Sequence, residues 1–410
     1  MKIKIQYIVT ALILAFGNLN ASSPTSNGIQ PPLLTSGEWV SFKAGKGLLN
    51  AIRIVDQNGN EGSWVGDAMR GIDAAKAQSL FAQLKGIDLS NPDATWDILV
   101  NKKLPVPFLN ALDIAVWDLY GRTKNQPVGK LLGETKRDRV KLYLSGFPNM
   151  TQEQNVQSVK DAAERKIQAY RIYAYLKGTG PVRNNADAIA AGIWLESDIQ
   201  LARAVKAAAP EGLPLMFYPG CSYNPEQAAK VGAELDKLGY VLFLDPMNSK
   251  GAEMTKHYEA LRDKLKTPLC APIEGGLSLR LEWVKNRTVQ MLETDIYGGF
   301  TPCVRLIRAC EKAGVPLDLH AGFPTDMYQF PLYGFVSDAT LPWIGWHGRS
   351  PKGIAVATNF SGTEVKPVKF PWLKCIQTRP VDADGFVHLA YEIPGMGLEA
   401  DWEWIRAHRK

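Results

Sequence analysis

Two rhythms of apolar and polar residues run along this chain. In Gly47–Trp64, GLLNAIRIVDQNGNEGSW, the alternation has a period of two and is broken by Asn58-Gly59, which predicts a β-hairpin. A three-to-four spacing follows in Ile72–Leu84 and again in Leu109–Thr123, where Leu112, Ala115, Val116 and Leu119 mark one helical face. Pro127 ends that run, and Leu131-Leu132-Gly133 closes the segment. These elements predict a small α+β domain of roughly a hundred residues, taken as 33–135, after a polar, Pro-rich tether at 22–32. From Val140 onward short apolar strands alternate with helices, and strands end near Ser145, Tyr173, Tyr218, Leu244, Glu274, Asp295, His320 and His347. Eight repeats of about thirty residues predict a (β/α)8 barrel over 136–360. An open doubly wound sheet would call for a Gly-rich phosphate loop, and none is present. The remaining 361–410 is Pro-rich, ends in PGMGLEADWEWI, and is expected to pack back on the first domain.

Met291–Gly322, MLETDIYGGFTPCVRLIRACEKAGVPLDLHAG, shows the repeat most fully: strand, Gly298-Gly299 break, a helix with Val304, Ile307 and Cys310 on one side, then a second strand. Asp295 and His320 fall at the carboxyl ends of its two strands, where barrels carry their chemistry. A carboxylate beside an imidazole orients the ring and raises its basicity. The alternative is an Asp capping a loop and a buried His with its hydrogen bonds met.

Composition adds an address. Lys2 and Lys4 precede the apolar run Tyr7–Gly17, and Ala21 offers a small residue for cleavage, so 1–21 reads as a signal peptide. The run is short for a membrane span, which predicts an exported, periplasmic protein with no membrane attachment once the leader is removed. Cleavage takes two lysines and no acids, leaving the formal charge of +6 at +4, too mild to argue for nucleic acid. Five scattered cysteines, Cys221, Cys270, Cys303, Cys310 and Cys375, have neither zinc nor redox spacing and are expected as buried thiols.

The hairpin, then ALDIAVWDLYGRTKNQPVGKLLG over Ala111–Gly133, then the barrel and the PGMGLEAD tail, resemble the enolase superfamily in its mandelate racemase and muconate-lactonizing branch. The resemblance covers nearly the whole chain after the leader. It implies a capping domain with substrate-selecting loops, here within Leu33–Gly47, and homo-oligomers as a common state. It also implies proton abstraction beside a carboxylate, with the enolate held by Mg²⁺ on three carboxylates. Carried over residue by residue, the first metal position falls on Tyr218 and the second on Leu244, with Asp245 beside it, so that only Glu274 keeps a carboxylate. The Lys-x-Lys pair of the second strand appears as Arg171-Ile172-Tyr173, the Asp/His dyad as Asp295 and His320, and the acid of the eighth strand maps near His347.

Mg²⁺ favours an octahedron of oxygens, and one Glu with a phenol and an isobutyl group is a poor cage. The cofactor is therefore left open, and three readings with it. In the first, an exported lyase, dehydratase or epimerase acts without metal on a uronic or aldonic acid or an acidic oligosaccharide. His320 oriented by Asp295, or a Tyr phenolate, is the base, Arg171 or a protonated His neutralises the substrate carboxylate, a second Tyr or His protonates the leaving oxygen, and Tyr173, Tyr218 and His347 complete the site. In the second, a retired barrel binds a carbohydrate or acid without turning it over. In the third, Asp245, Glu274 and Asp295 hold a shifted metal site. Trp343 and Trp346 offer a sugar-stacking surface or plain rim packing. His257, His388 and His408 have no motif around them.

Overall fold

The computed structural model describes residues 31–45, 47–69, 71–146, 150–174, 193–271, 276–296, 298–319, 325–347, 370–376 and 381–410. His320, Glu274 and the whole leader lie outside the described residues, as do the side chains of Trp346 and His347. Residues 32–410 form one compact unit.

The capping domain opens with an antiparallel sheet of β1 (Leu34–Ala44), β2 (Gly47–Asp56) and β3 (Glu61–Asp67). The predicted hairpin is β2 and β3, turned at Asn58-Gly59 where Gly59 takes φ +80°. The stretch Leu33–Gly47, expected as selecting loops, is instead mostly β1, paired residue for residue with β2 from Ser36 to Ala44. Its own alternation, with Leu34, Val40 and Phe42 buried, is the physical reason. Helices α1 (Ala74–Ala82), α2 (Pro92–Asn101) and α3 (Val106–Thr123) follow, with the single turn α4 (Val128–Leu131) after them. The period-breaking start of α2 is set by Asn91, whose side chain accepts from the Asp93 and Ala94 N–H groups. Thirteen of the 18 residues of α3 are buried, because β3 covers one side and the barrel another.

The barrel strands are β4 (Arg139–Ser145), β5 (Ala169–Tyr173), β6 (Leu215–Tyr218), β7 (Leu242–Leu244), β8 (Leu269–Ala271), β9 (Met291–Thr294), β10 (Leu317–Leu319) and β11 (Ile344–His347). They pair in parallel in the order β10-β9-β8-β7-β6-β5-β4-β11. Strands β10 and β11 are also in contact, and Leu317 N–H donates to the carbonyl of Thr340, just ahead of β11, at 2.6 Å. The intervening helices are α5 (Gln152–Glu164), α6 (Ile193–Ala208), α7 (Pro225–Leu238), α8 (Ala252–Arg262), α9 (Gly276–Asn286), α10 (Phe300–Ala313) and the short α11 (Phe330–Tyr333). An eight-stranded barrel with a capping domain is thus the observed architecture.

The tail does two jobs. Its β12 (Leu373–Ile376) pairs with β14 (Leu398–Ala400), β13 (Phe386–His388) pairs with the start of β4, and α12 (Trp402–Ala407) returns to the cap. There Trp402 Nε1 donates to Ser63 Oγ at 3.1 Å and Lys410 N to the Ser41 carbonyl at 2.9 Å. None of the five cysteines forms a disulfide.

Candidate active site

Parallel pairing sets candidate residues side by side: Ser145 opposite Arg171 across β4 and β5, Tyr173 opposite Tyr218 across β5 and β6. The strands lean their alternate residues inward, so positions two apart on one strand occupy successive layers of the barrel. Tyr173 and Tyr218, both half-buried, reach the mouth. Their rings meet edge to face at 4.7 Å and 84°, and their phenols hydrogen-bond. Asp295 stands at the end of β9, 4% exposed. Trp343 packs against the interior cluster that contains Leu244 and Cys270.

The layer beneath carries charge. Arg171, expected at the mouth to receive a substrate carboxylate, is 1% exposed. Its Nε donates to Ser145 Oγ at 3.1 Å, and its Nη1 lies 3.7 Å from Asp318 Oδ2. The guanidinium sits 5.0 Å from the Tyr143 ring centroid and 4.9 Å from that of Tyr218. Burial works against its charge, but Tyr143, Asp318 and Glu293 around it outweigh burial and hold it protonated. Tyr143 OH donates to Asp318 Oδ2 at 3.2 Å. Glu293, two residues before Asp295 on β9, is hydrogen-bonded to Asp245. Two carboxyl groups joined in that way share a proton. Burial first, then Asp245, pushes the Glu293 carboxyl well above the usual range. Asp245 itself adopts a left-handed backbone at φ 42°, an uncommon conformation for a residue other than Gly, Asn or Asp, and its carbonyl accepts from Cys221 N at 2.7 Å.

The same field acts on the two phenols. Burial, then the Asp245 and Glu293 carboxyls, raises Tyr218 well above a free phenol, and burial raises Tyr173. A Tyr phenolate base, one expectation from sequence, is therefore disfavoured; both groups are neutral hydrogen-bond donors. Behind β9, the buried Arg280 of α9 donates to Thr294 Oγ1 at 2.8 Å and to the Glu293 carbonyl at 3.4 Å, fixing the strand end that bears Asp295. Glu293, Asp318, Tyr143 and Arg280 were missed in the sequence. For Glu293 and Asp318 the signal was present, since each stands two positions before a dyad residue and so faces the same interior.

The second half of the chain, residues 158–404, matches the family model described as enolase C-terminal domain-like. Residues 56–133 match that of the mandelate racemase and muconate lactonizing enzyme N-terminal domain. This chain belongs to the enolase superfamily. Within that superfamily it is 25% identical to an arabinonate dehydratase of Saccharolobus solfataricus over 219 residues, 52% of this chain and 53% of that one. The chain thus spans about half the length of that relative. It is 24% identical to a D-galactarolactone cycloisomerase of Agrobacterium fabrum over 351 residues, 82% of this chain and 84% of that one. The D-glucarate dehydratase of Agrobacterium tumefaciens, solved with magnesium, superposes with a TM-score of 0.74 at 21% identity, over 93% of this chain and 100% of that one. Tyr173, Tyr218 and Asp245 stand close enough to act on one another's charge, and Asp295 follows the last residue of β9.

Proposed function

We propose that this superfamily member is an exported sugar-acid dehydratase that draws the proton beside a carboxylate and steadies the resulting enolate with phenols rather than with Mg²⁺. The observation that carries the reading is the Tyr173–Tyr218 pair, two neutral donors held at the mouth above a buried guanidinium. The names of the relatives, dehydratases of sugar acids and a cycloisomerase, support the substrate class.

The donor set argues against the usual cation site. Leu244, at the second metal position, is fully buried among Leu242, Cys270 and Tyr143, and contributes no oxygen. The Tyr218 phenol keeps its proton, and a neutral phenol is a weak ligand for a hard cation. Asp245, the natural member of a shifted site, is engaged with Glu293 through a shared proton. These residues do not fit Mg²⁺, so the chemistry is assigned to the chain's own groups.

In that chemistry His320, oriented by Asp295, takes the α-proton, and the electron pair passes to the carboxylate. Tyr218, polarised by Arg171 against its ring, donates to the enolate oxygen. Donors aimed at developing charge in a water-poor site are each worth about 3 kcal/mol in the transition state. The C–O bond at the β-carbon then breaks, the departing oxygen takes a proton from Tyr173 or the imidazole, and water leaves. Where the imidazole supplies that proton, the one taken from the α-carbon leaves in the water; where Tyr173 supplies it, the imidazolium reprotonates the phenolate. The enol product then tautomerises to a 2-keto-3-deoxy acid.

The test is proton exchange in D₂O with a panel of aldonic and uronic acids, followed by NMR with and without EDTA. Deuteration or keto-acid formation that survives EDTA and disappears in His320→Asn supports the reading. Activity abolished by EDTA and restored by Mg²⁺ would overturn the metal-free assignment, and silence across the panel would favour a barrel that only binds. Export is part of the same proposal: the protein recovered from a periplasmic extract should begin near Ser22, and recovery of an intact Met1 would remove it.

A further inference from the structure

A cavity of about 480 Å³ lies between cap and barrel, outside the polar cluster described above. That volume is in the range of small-molecule pockets, roughly 300–1,000 Å³. Its cap wall is built from the end of β3, with Trp64 and Asp67, and from successive turns of α3, with Val106, Asn110 and Ile114. Its barrel wall is Ile296, the residue that follows Asp295. The cavity therefore begins one residue from the dyad carboxylate and runs outward under the cap. Val106, 64% exposed, marks its open rim.

The lining has a definite chemistry. It is mostly apolar, with an indole at one end, and its polar side chains are Asp67 and Asn110. No basic side chain lines it among the described residues. The room for the indole is written into the strand: Trp64 lies over Gly66, and a Cβ at Gly66 would overlap the ring. A linear diacid would bring a second carboxylate into this space, against Asp67 and with no cation to meet it among the described residues. Partial burial raises the Asp67 carboxyl, in the same direction as the missing counter-charge. A sugar ring is the opposite case, since its C–H face suits the indole and aliphatic wall while a carboxylate and an amide can hold adjacent hydroxyls.

We propose that this cavity is a subsite for a neutral sugar ring carried by the reacting acid, so that the preferred substrate is a glycosylated monoacid rather than a free sugar diacid. This rests on the sugar-acid reading of the mouth and narrows it. Asp67 and Asn110 are the polar specificity groups, and the cap wall reads the remote part of a substrate whose acid end lies on the Asp295 side of the cavity.

The experiment compares a glycosyl-aldonic acid such as lactobionate, the free aldonate and a hexarate as substrates, and separately follows binding of neutral methyl glycosides by ligand-observed NMR. The expected result is a kcat/KM at least tenfold higher for the glycosylated acid than for the free aldonate, carried by KM, with the hexarate poorest. Methyl glycoside binding should be lost in Val106→Trp, which fills the rim from an exposed position, and weakened in Asp67→Asn, which should also narrow the gap between hexarate and aldonate. Turnover of the free aldonate with no gain from the added ring, and no glycoside binding, would overturn the subsite and leave the proposed function standing. Glycoside binding that Val106→Trp abolishes, with no exchange on any acid, would support the subsite and sink the dehydratase reading.

Discussion

Tyr218 occupies a position where the superfamily resemblance calls for an acidic ligand, and its surroundings explain what a phenol can do there. Asp245 and Glu293 stand close enough to oppose its ionisation, while Arg171 faces its ring at 4.9 Å. A neutral donor at a developing negative charge gives part of what a cation would give, in proportion to how well it is aimed. Tyr218→Phe removes only the oxygen and leaves the edge-to-face contact with Tyr173. It should lower kcat by about a hundredfold, or about 3 kcal/mol, with KM nearly unchanged, in a steady-state assay on the acid found by the exchange screen. An unchanged kcat would reduce Tyr218 to a plug in the old metal position.

Each element of the barrel hands on what its neighbours make possible, and the cap is fastened to it at one such point. Asp113, fully buried on α3, accepts from Thr301 N at 2.7 Å and from Thr301 Oγ1 at 2.6 Å at the start of α10, and Trp117 Nε1 donates to the same hydroxyl at 2.8 Å. This clamp sits six residues beyond Asp295, so it ties the cap to the helix that follows the Asp295 strand. Burial raises the Asp113 carboxyl to about 7, against the pull of the Thr301 hydrogen bonds. The folded protein therefore holds a proton between about pH 4 and pH 7 that the unfolded chain, with an ordinary Asp near 3.9, releases. That contribution to stability is complete below about pH 4 and is lost as the pH rises through about 7. Urea midpoints of the parent chain should fall relative to those of Asp113→Asn across this window, and parallel midpoints would show that the carboxyl is ionised throughout. The element pattern itself was legible, because strand and helix periods in β2, β3, α3 and the barrel strands follow directly from which faces are buried. What stayed hidden was the depth of the inward layer: Arg171 reads as a mouth residue and Glu293 and Asp318 pass unmarked, because a charged residue on a short barrel strand is not seen to be buried until closure of the sheet turns it inward.

At the scale of the molecule, the PGMGLEAD tail is a lock between domains. Asp118, fully buried in α3, accepts from Ser63 N at 2.9 Å on β3, from Arg122 Nε at 2.8 Å on its own helix, and from Met396 N at 2.9 Å in the tail. Burial raises its carboxyl, and Arg122 offsets part of that cost. Gly395 makes the approach possible: its φ is +74°, and a Cβ there would overlap Asp118 Oδ1 and crowd the Asp118 carbonyl. The motif that carried the family resemblance thus has a mechanical reason, since the tail must pass flat against α3 to reach β3 and the cap. Gly395→Ala combines a left-handed backbone with a steric clash at a buried carboxylate, and should cost about 2–4 kcal/mol of stability. The loss should first free the cap, because Trp402 and Lys410 hold β3 and β1 only while the tail is seated. Hydrogen exchange of β1–β3 should therefore accelerate more than that of the barrel strands. Equal acceleration in both would mean that cap and barrel unfold as one unit and that the tail is only one of many contacts between them.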